Sequence, residues 1–202
     1  MRSENDTAGA RIRILDAAER LFARHGFDGT STATLAHAAG VPKGLLFYYF
    51  PSKPVILTTL LEERLSTAAL DPIPLAVPND PVQTLLNLGE RVLVDRAGSH
   101  MLRDVIWHES HIRPEVHAVL TRYRHALHDA VAAALQASLP PSVDLHALRA
   151  AAAAWAATIT ARPLEPLLPH HDDVPDRPHE APELRELARV LSAGLLSTTK
   201  KT

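Results

Sequence analysis

Residues 29–53 read GTSTATLAHAAGVPKGLLFYYFPSK, and the rest of the chain is organised around this stretch. Leu35, Ala36 and Ala39 recur at helical spacing, which predicts a helix of about two turns with an inward face of small side chains. Ser31 or Thr32 can cap its start, because a hydroxyl there accepts a bond from a backbone N–H that the helix leaves unpaired. Gly40 ends the helix through its tolerance of positive φ, Val41 can turn back inward, and Pro42 brings a fixed φ suited to the first turn of a second helix. That second helix is predicted to bury Leu46, Phe47 and Phe50 and to offer Lys43, Gly44, Leu45, Tyr48 and, at its edge, Tyr49. A helix, a short turn and a second helix form the shape that lays the second one, N-terminal end first, into the major groove of DNA. An ordinary helical hairpin has the same spacing; the outward aromatics and lysine are what favour the DNA reading.

Flanking motifs extend the pattern. ILDAAERLFARHGFDGTS begins at Ile14, LAHAAGVPKGLLFYYF follows, and SKPVIL closes the run. In order and spacing, these motifs resemble the DNA-binding domain of the tetracycline-repressor (TetR) family of bacterial regulators. The chain departs from that pattern at Pro42, Phe47, Tyr49 and Pro54, and Phe47 lacks a hydroxyl that could touch phosphate. The resemblance implies that Lys43, Tyr48, Tyr49 and Lys53 contact the DNA backbone and that Thr32 adds a phosphate contact. It further implies that Gly44 permits close approach while Leu45, with Tyr48 beside it, reaches base edges. Beyond the reading head it implies a helical body that encloses a small-molecule site and pairs two copies through its last two long helices.

Composition sets the bounds. The chain has 202 residues, 46% of them hydrophobic, enough to bury a core in one or two domains. It has no cysteine, which excludes disulfides and thiolate metal sites and fits a reducing cytoplasm. The polar N-terminus lacks an apolar signal core, and no apolar run of about 18 residues could span a membrane, so a soluble cytoplasmic protein is expected. Net charge is −2, yet residues 10–53 set Arg11, Arg13, Arg20, Arg24, Lys43 and Lys53 against Asp16, Glu19 and Asp28. A mildly basic module on an acidic body suits a protein that grips a few phosphates through one end.

Taken in order, the pattern predicts an all-α chain of about nine helices. The first spans 10–25 with Ile14, Leu15, Ala18, Leu21 and Phe22 buried, and the fourth spans 52–70, capped by Ser52, with Val55, Ile56, Leu60 and Leu61 apolar. Four prolines make 71–81 a connector, Asp80 and Pro81 start a fifth helix, and Gly98 and Ser99 precede a sixth that ends near His108. Pro114 opens a seventh that runs to about Ser138, and residues 142–161 form an eighth with a flat alanine surface. Proline-rich 162–182 is a loop, and a ninth helix over 182–198 carries a stripe of Leu184, Leu187, Leu191 and Leu195. The expected division is a helix-turn-helix DNA-binding domain over 1–53 and a ligand-binding and dimerisation domain over 54–202.

Other chemistry is weakly supported. His108 with His111, and His125 with His128, have the i,i+3 spacing that can hold zinc, and Glu109 adjoins the first pair, but no HExxH occurs. No metal ligands and no cofactor are therefore assigned, and a metal sensor on the same scaffold stays the alternative. GxSxG, GxGxxG and GxxxxGK[ST] are absent, so no catalytic residues are assigned and neither an enzyme nor a plain ligand carrier is favoured. Trp107, Tyr123 and Trp155 pack the core or line a ligand cavity, with Asn87, Arg91, His108 and His111 as the polar groups that would orient a ligand. The expected function is a homodimeric transcriptional repressor, released from palindromic double-stranded DNA by a small apolar effector.

Overall fold

The computed structural model describes residues 3–68, 70–97, 112–160 and 182–197. Their helices are α1 (Ser3–His25), α2 (Thr32–Ala38), α3 (Lys43–Tyr49), α4 (Lys53–Arg64), α5 (Pro81–Ala97), α6 (Pro114–Ser138), α7 (Leu145–Thr160) and α8 (Pro182–Ser197), with a 3-10 turn at Ile73–Leu75. The helix expected to end near His108 and the loop expected over 162–182 lie outside the described residues, apart from Pro182 at the loop's edge. No strand occurs among the described residues.

By contact the chain falls into two compact units. The first holds the described residues up to Ser66 together with 112–122. In α1, Ile14, Leu15, Ala18 and Phe22 are buried and Leu21 half-buried, as the spacing requires. The helix starts earlier than expected because its polar first turns carry no apolar period for a pattern to register. α4 is shorter than expected and ends at Arg64, before Ser66 and Thr67, whose hydroxyls compete for backbone groups. It buries Ile56, Leu57, Leu60 and Leu61, whereas Val55, expected inside, is exposed. Ser52 precedes the helix in extended conformation but makes no side-chain cap bond. Arg64 ties α4 to α1, pairing with Asp16 and, at 3.1 Å, with Glu19, and Arg11 pairs with Glu63.

The second unit comprises the described residues within 67–97 and from Tyr123 onward. Its core joins Leu85, Leu88 and Val92 of α5 to Leu127, Val131 and Leu135 of α6, to Leu148, Ala152, Trp155 and Ile159 of α7, and to Ala188 and Leu195 of α8. Gly89 lets α5 and α7 approach closely, for a Cβ there would stand 3.1 Å from the indole of Trp155. Asp80 caps α5 by accepting from the Gln83 N–H at 2.9 Å. The connector before it is pinned by polar bonds: the Ser138 hydroxyl donates to the Val77 carbonyl at 2.6 Å, and the Asn79 N–H donates to the Ser138 carbonyl at 2.8 Å.

Candidate nucleic-acid interface

The turn between α2 and α3 is built as its sequence dictates. Ser31, not Thr32, caps α2, its hydroxyl accepting from the Thr34 N–H at 3.0 Å; Thr32 is the first helical residue. Gly40 has φ +63°, where a Cβ would be strained, and the Val41 N–H returns to the Ala36 carbonyl at 3.0 Å. Leu35, Ala36, Ala39, Val41, Leu46 and Phe50 are buried, so the pair is fixed from inside, and Arg13 of α1 donates to the Ala39 carbonyl at 3.2 Å.

What α3 leaves outside is the candidate interface. Lys43 and Gly44 are exposed, Tyr48 is 77% exposed, and Leu45 and Tyr49 are half-buried. Phe47, expected in the core, is 40% exposed with the Lys43 ammonium 5.8 Å from its ring centroid. A seven-residue helix crossing its neighbours at one face buries only the Leu46 line and Phe50 at its end, and Phe47 falls beyond that line. Tyr48 and Tyr49 meet edge to face at 5.2 Å, which restrains the outward ring. Gly44 is not required by the fold: its φ is ordinary and a Cβ would meet nothing within 4 Å.

Lys53 has work inside the protein. Its ammonium donates to the carbonyls of Phe27 at 2.7 Å and Thr30 at 2.9 Å and lies 4.2 Å from the Phe27 ring centroid. Two of its donors thus hold the loop between α1 and α2, a role that a reading of charge alone misses.

Of the expected ligand residues, Asn87, Arg91, Tyr123 and Trp155 are among the described residues. Trp107, His108 and His111 lie outside the described residues. Trp155 is fully buried and its indole N–H has no acceptor among the described residues; Tyr123 is half-buried against the same core. Asn87 and Arg91 line a cleft of about 340 Å³ with Leu75 and Glu90. Asn87 is already engaged, donating to the Leu75 carbonyl at 3.1 Å and accepting from Gln83 at 2.8 Å, so it holds the connector. Among the described residues no three His, Cys, Asp or Glu side chains gather as a metal site would need. His128 faces Asp129 and the Arg149 carbonyl, while His125 is exposed.

A buried helix pair that presents a lysine, a glycine and aromatic side chains on one short outward helix has the helix-turn-helix arrangement. Residues 14–58 match the family of bacterial regulatory proteins, tetR family. Over those residues the chain is similar to that family. It is 28% identical over 131 residues to the transcriptional regulator AcrR of Shigella flexneri, covering 61% of this chain and 60% of AcrR. The repressor Rv1474c of Mycobacterium tuberculosis is 36% identical over 61 residues, 30% of this chain and 33% of the relative. The chain therefore matches less than two thirds of the length of these relatives. A solved TetR regulator from Haloarcula marismortui shares the fold, with TM-score 0.63 at 16% identity, over 96% of this chain and all of the other.

Proposed function

We propose that this protein is a DNA-binding transcriptional regulator, a homodimeric repressor that leaves a palindromic operator when a small apolar molecule binds it. The DNA-reading part is assigned to residues 1–53 and ligand binding and dimerisation to 54–202. The observation that carries the reading is the outward face of α3, where a large aromatic side chain stands almost bare beside a lysine and a glycine the fold does not need. Lys43, Tyr48, Tyr49 and Thr32 grip phosphates, Leu45 meets a thymine methyl, and Gly44 lets backbones approach. Lys53 has one donor left for phosphate. No helix of the described residues is long and apolar enough to cross a membrane, which agrees with work on DNA in the cytoplasm.

A single α3 makes few contacts, and a two-fold dimer doubles them on a palindrome. The surface supports this. Ala150, Ala153, Ala154 and Ala157 of α7 are exposed, as are Val190 and Leu196 of α8. The leucine stripe expected at the seam is turned the other way, with Leu195 buried and Leu184, Leu187 and Leu191 packed on the protein's own core. Val190 and the alanine face are thus the better seam.

For induction, a ligand that binds the DNA-free form better by about 1–3 kcal/mol shifts operator affinity on the order of 5- to 150-fold, and DNA weakens the ligand equally. The apolar core of the second unit and the Trp155 N–H, which has no acceptor among the described residues, favour an apolar molecule that carries an acceptor. The test is selection of duplexes from the source genome, followed by titration of Lys43→Ala. That variant is expected to bind every sequence more weakly, with a salt slope lower by about one phosphate. Unchanged affinity and slope would remove Lys43 from the interface.

A further inference from the structure

The loop 26–30, which delivers the chain to the cap of α2, is held from two distant points of the sequence. Gly26 has φ +71°, and Gly29 passes so close to the His25 carbonyl that a Cβ would stand 2.3 Å from its oxygen. Thr30 is buried, its hydroxyl donating to the Gly26 carbonyl at 2.8 Å. Phe27 is buried against Phe22, with ring centroids 5.3 Å apart. Over the Phe27 ring lie two cations: the Lys53 ammonium and the Arg113 guanidinium, the latter only 3.8 Å from the centroid. Arg113 also donates to the Asp28 carboxylate at 2.7 Å, and its side chain is mostly buried.

Arg113 belongs to the two residues that precede α6, 85 positions after Asp28. It shares the Phe27 ring with Lys53, whose ammonium donates to the Phe27 and Thr30 carbonyls, whereas the charge of Arg113 is taken up by the Asp28 carboxylate. A planar guanidinium stacked on one ring and bonded to the next carboxylate fixes both position and orientation, which an ammonium does not. The consequence falls on Ser31 and Thr32, directly after the loop.

We propose that Arg113 is a positioning residue for DNA binding: by clasping Phe27 and Asp28 it sets the N-terminal end of α2, and with it the phosphate contact of Thr32 and the tilt of α3. This rests on the DNA-binding reading above. It differs from a phosphate contact in its salt signature, because no counterion is released on its account.

The test uses the full chain as wild type, Arg113→Ala, Arg113→Lys and Lys43→Ala. Each is titrated by fluorescence anisotropy against a labelled duplex that the wild type has selected from a random pool. Amide hydrogen exchange over residues 26–34 is measured in the DNA-free proteins. Arg113→Ala is expected to bind about three- to tenfold more weakly at every salt concentration with the salt slope unchanged, and to exchange faster over 26–34. Arg113→Lys, which keeps a cation near the ring, recovers part of the affinity. Lys43→Ala lowers the slope and leaves exchange at wild-type rates. A slope lowered by about one in Arg113→Ala would make Arg113 a phosphate contact and overturn the proposal. So would unchanged exchange over 26–34, or an affinity loss that only tracks the unfolded fraction seen by circular dichroism. A wild type that selects no duplex would refute the DNA reading itself, and the exchange data would still report whether Arg113 holds the loop.

Discussion

Gly44→Ala separates what the fold needs from what DNA needs. Gly44 lies in the first turn of α3, its φ is not positive, and a Cβ would meet nothing within 4 Å. Glycine inside a helix costs about 0.5–1 kcal/mol relative to alanine, so the variant should fold more stably by up to that amount. For a chain of this size roughly 2–4 °C of Tm corresponds to 1 kcal/mol, which makes the expected rise about 1–4 °C. On DNA the sign reverses. A methyl forced into a close backbone contact acts as overpacking, about 1–3 kcal/mol, and 1.4 kcal/mol is about tenfold in affinity. Thermal melts by circular dichroism and anisotropy titrations of the same preparations give both numbers. A raised Tm with affinity within about twofold of wild type would refute the reasoning, since nothing would then approach Gly44. A lowered Tm would mean that the helix itself rejects the methyl.

Lys53→Met removes two charge-assisted hydrogen bonds to the loop carbonyls and should cost about 2 kcal/mol, seen as a Tm lower by roughly 4–8 °C; an unchanged Tm would return Lys53 to a purely surface role. Gly89→Ala presses a methyl to 3.1 Å from a fully buried indole, so overpacking of about 1–3 kcal/mol should outweigh the helix gain and lower the urea midpoint, and a rise would show that Trp155 can yield. Ala153→Arg should yield a folded monomer in sedimentation velocity, because its methyl is exposed, whereas Leu191→Arg should unfold the second unit by placing charge against its core. A dimeric Ala153→Arg with wild-type mass would move the seam elsewhere.

The sequence alone was enough for the all-helical class, for the caps at Asp80 and Gly40, and for the turn between α2 and α3. Each of these is local: a φ preference, a hydroxyl or carboxylate three residues from an amide, or an apolar period along one helix. The same locality explains the misses. Period tells which residues share a face, and it does not tell where that face ends, so Phe47 and Val55 were expected inside and stand outside. Nor does it tell which neighbour a stripe will meet: the leucines of α8 close the core of their own unit. Lys53 and Asn87 were read as free hands because a side chain's charge or amide is visible in sequence while the distant carbonyl it satisfies is not. Arg113 left no signal at all, since its partners Phe27 and Asp28 are more than eighty residues away. Only the tertiary structure brings such groups together, because burying a backbone carbonyl or an aromatic face commits it to whichever donor or cation the packing delivers.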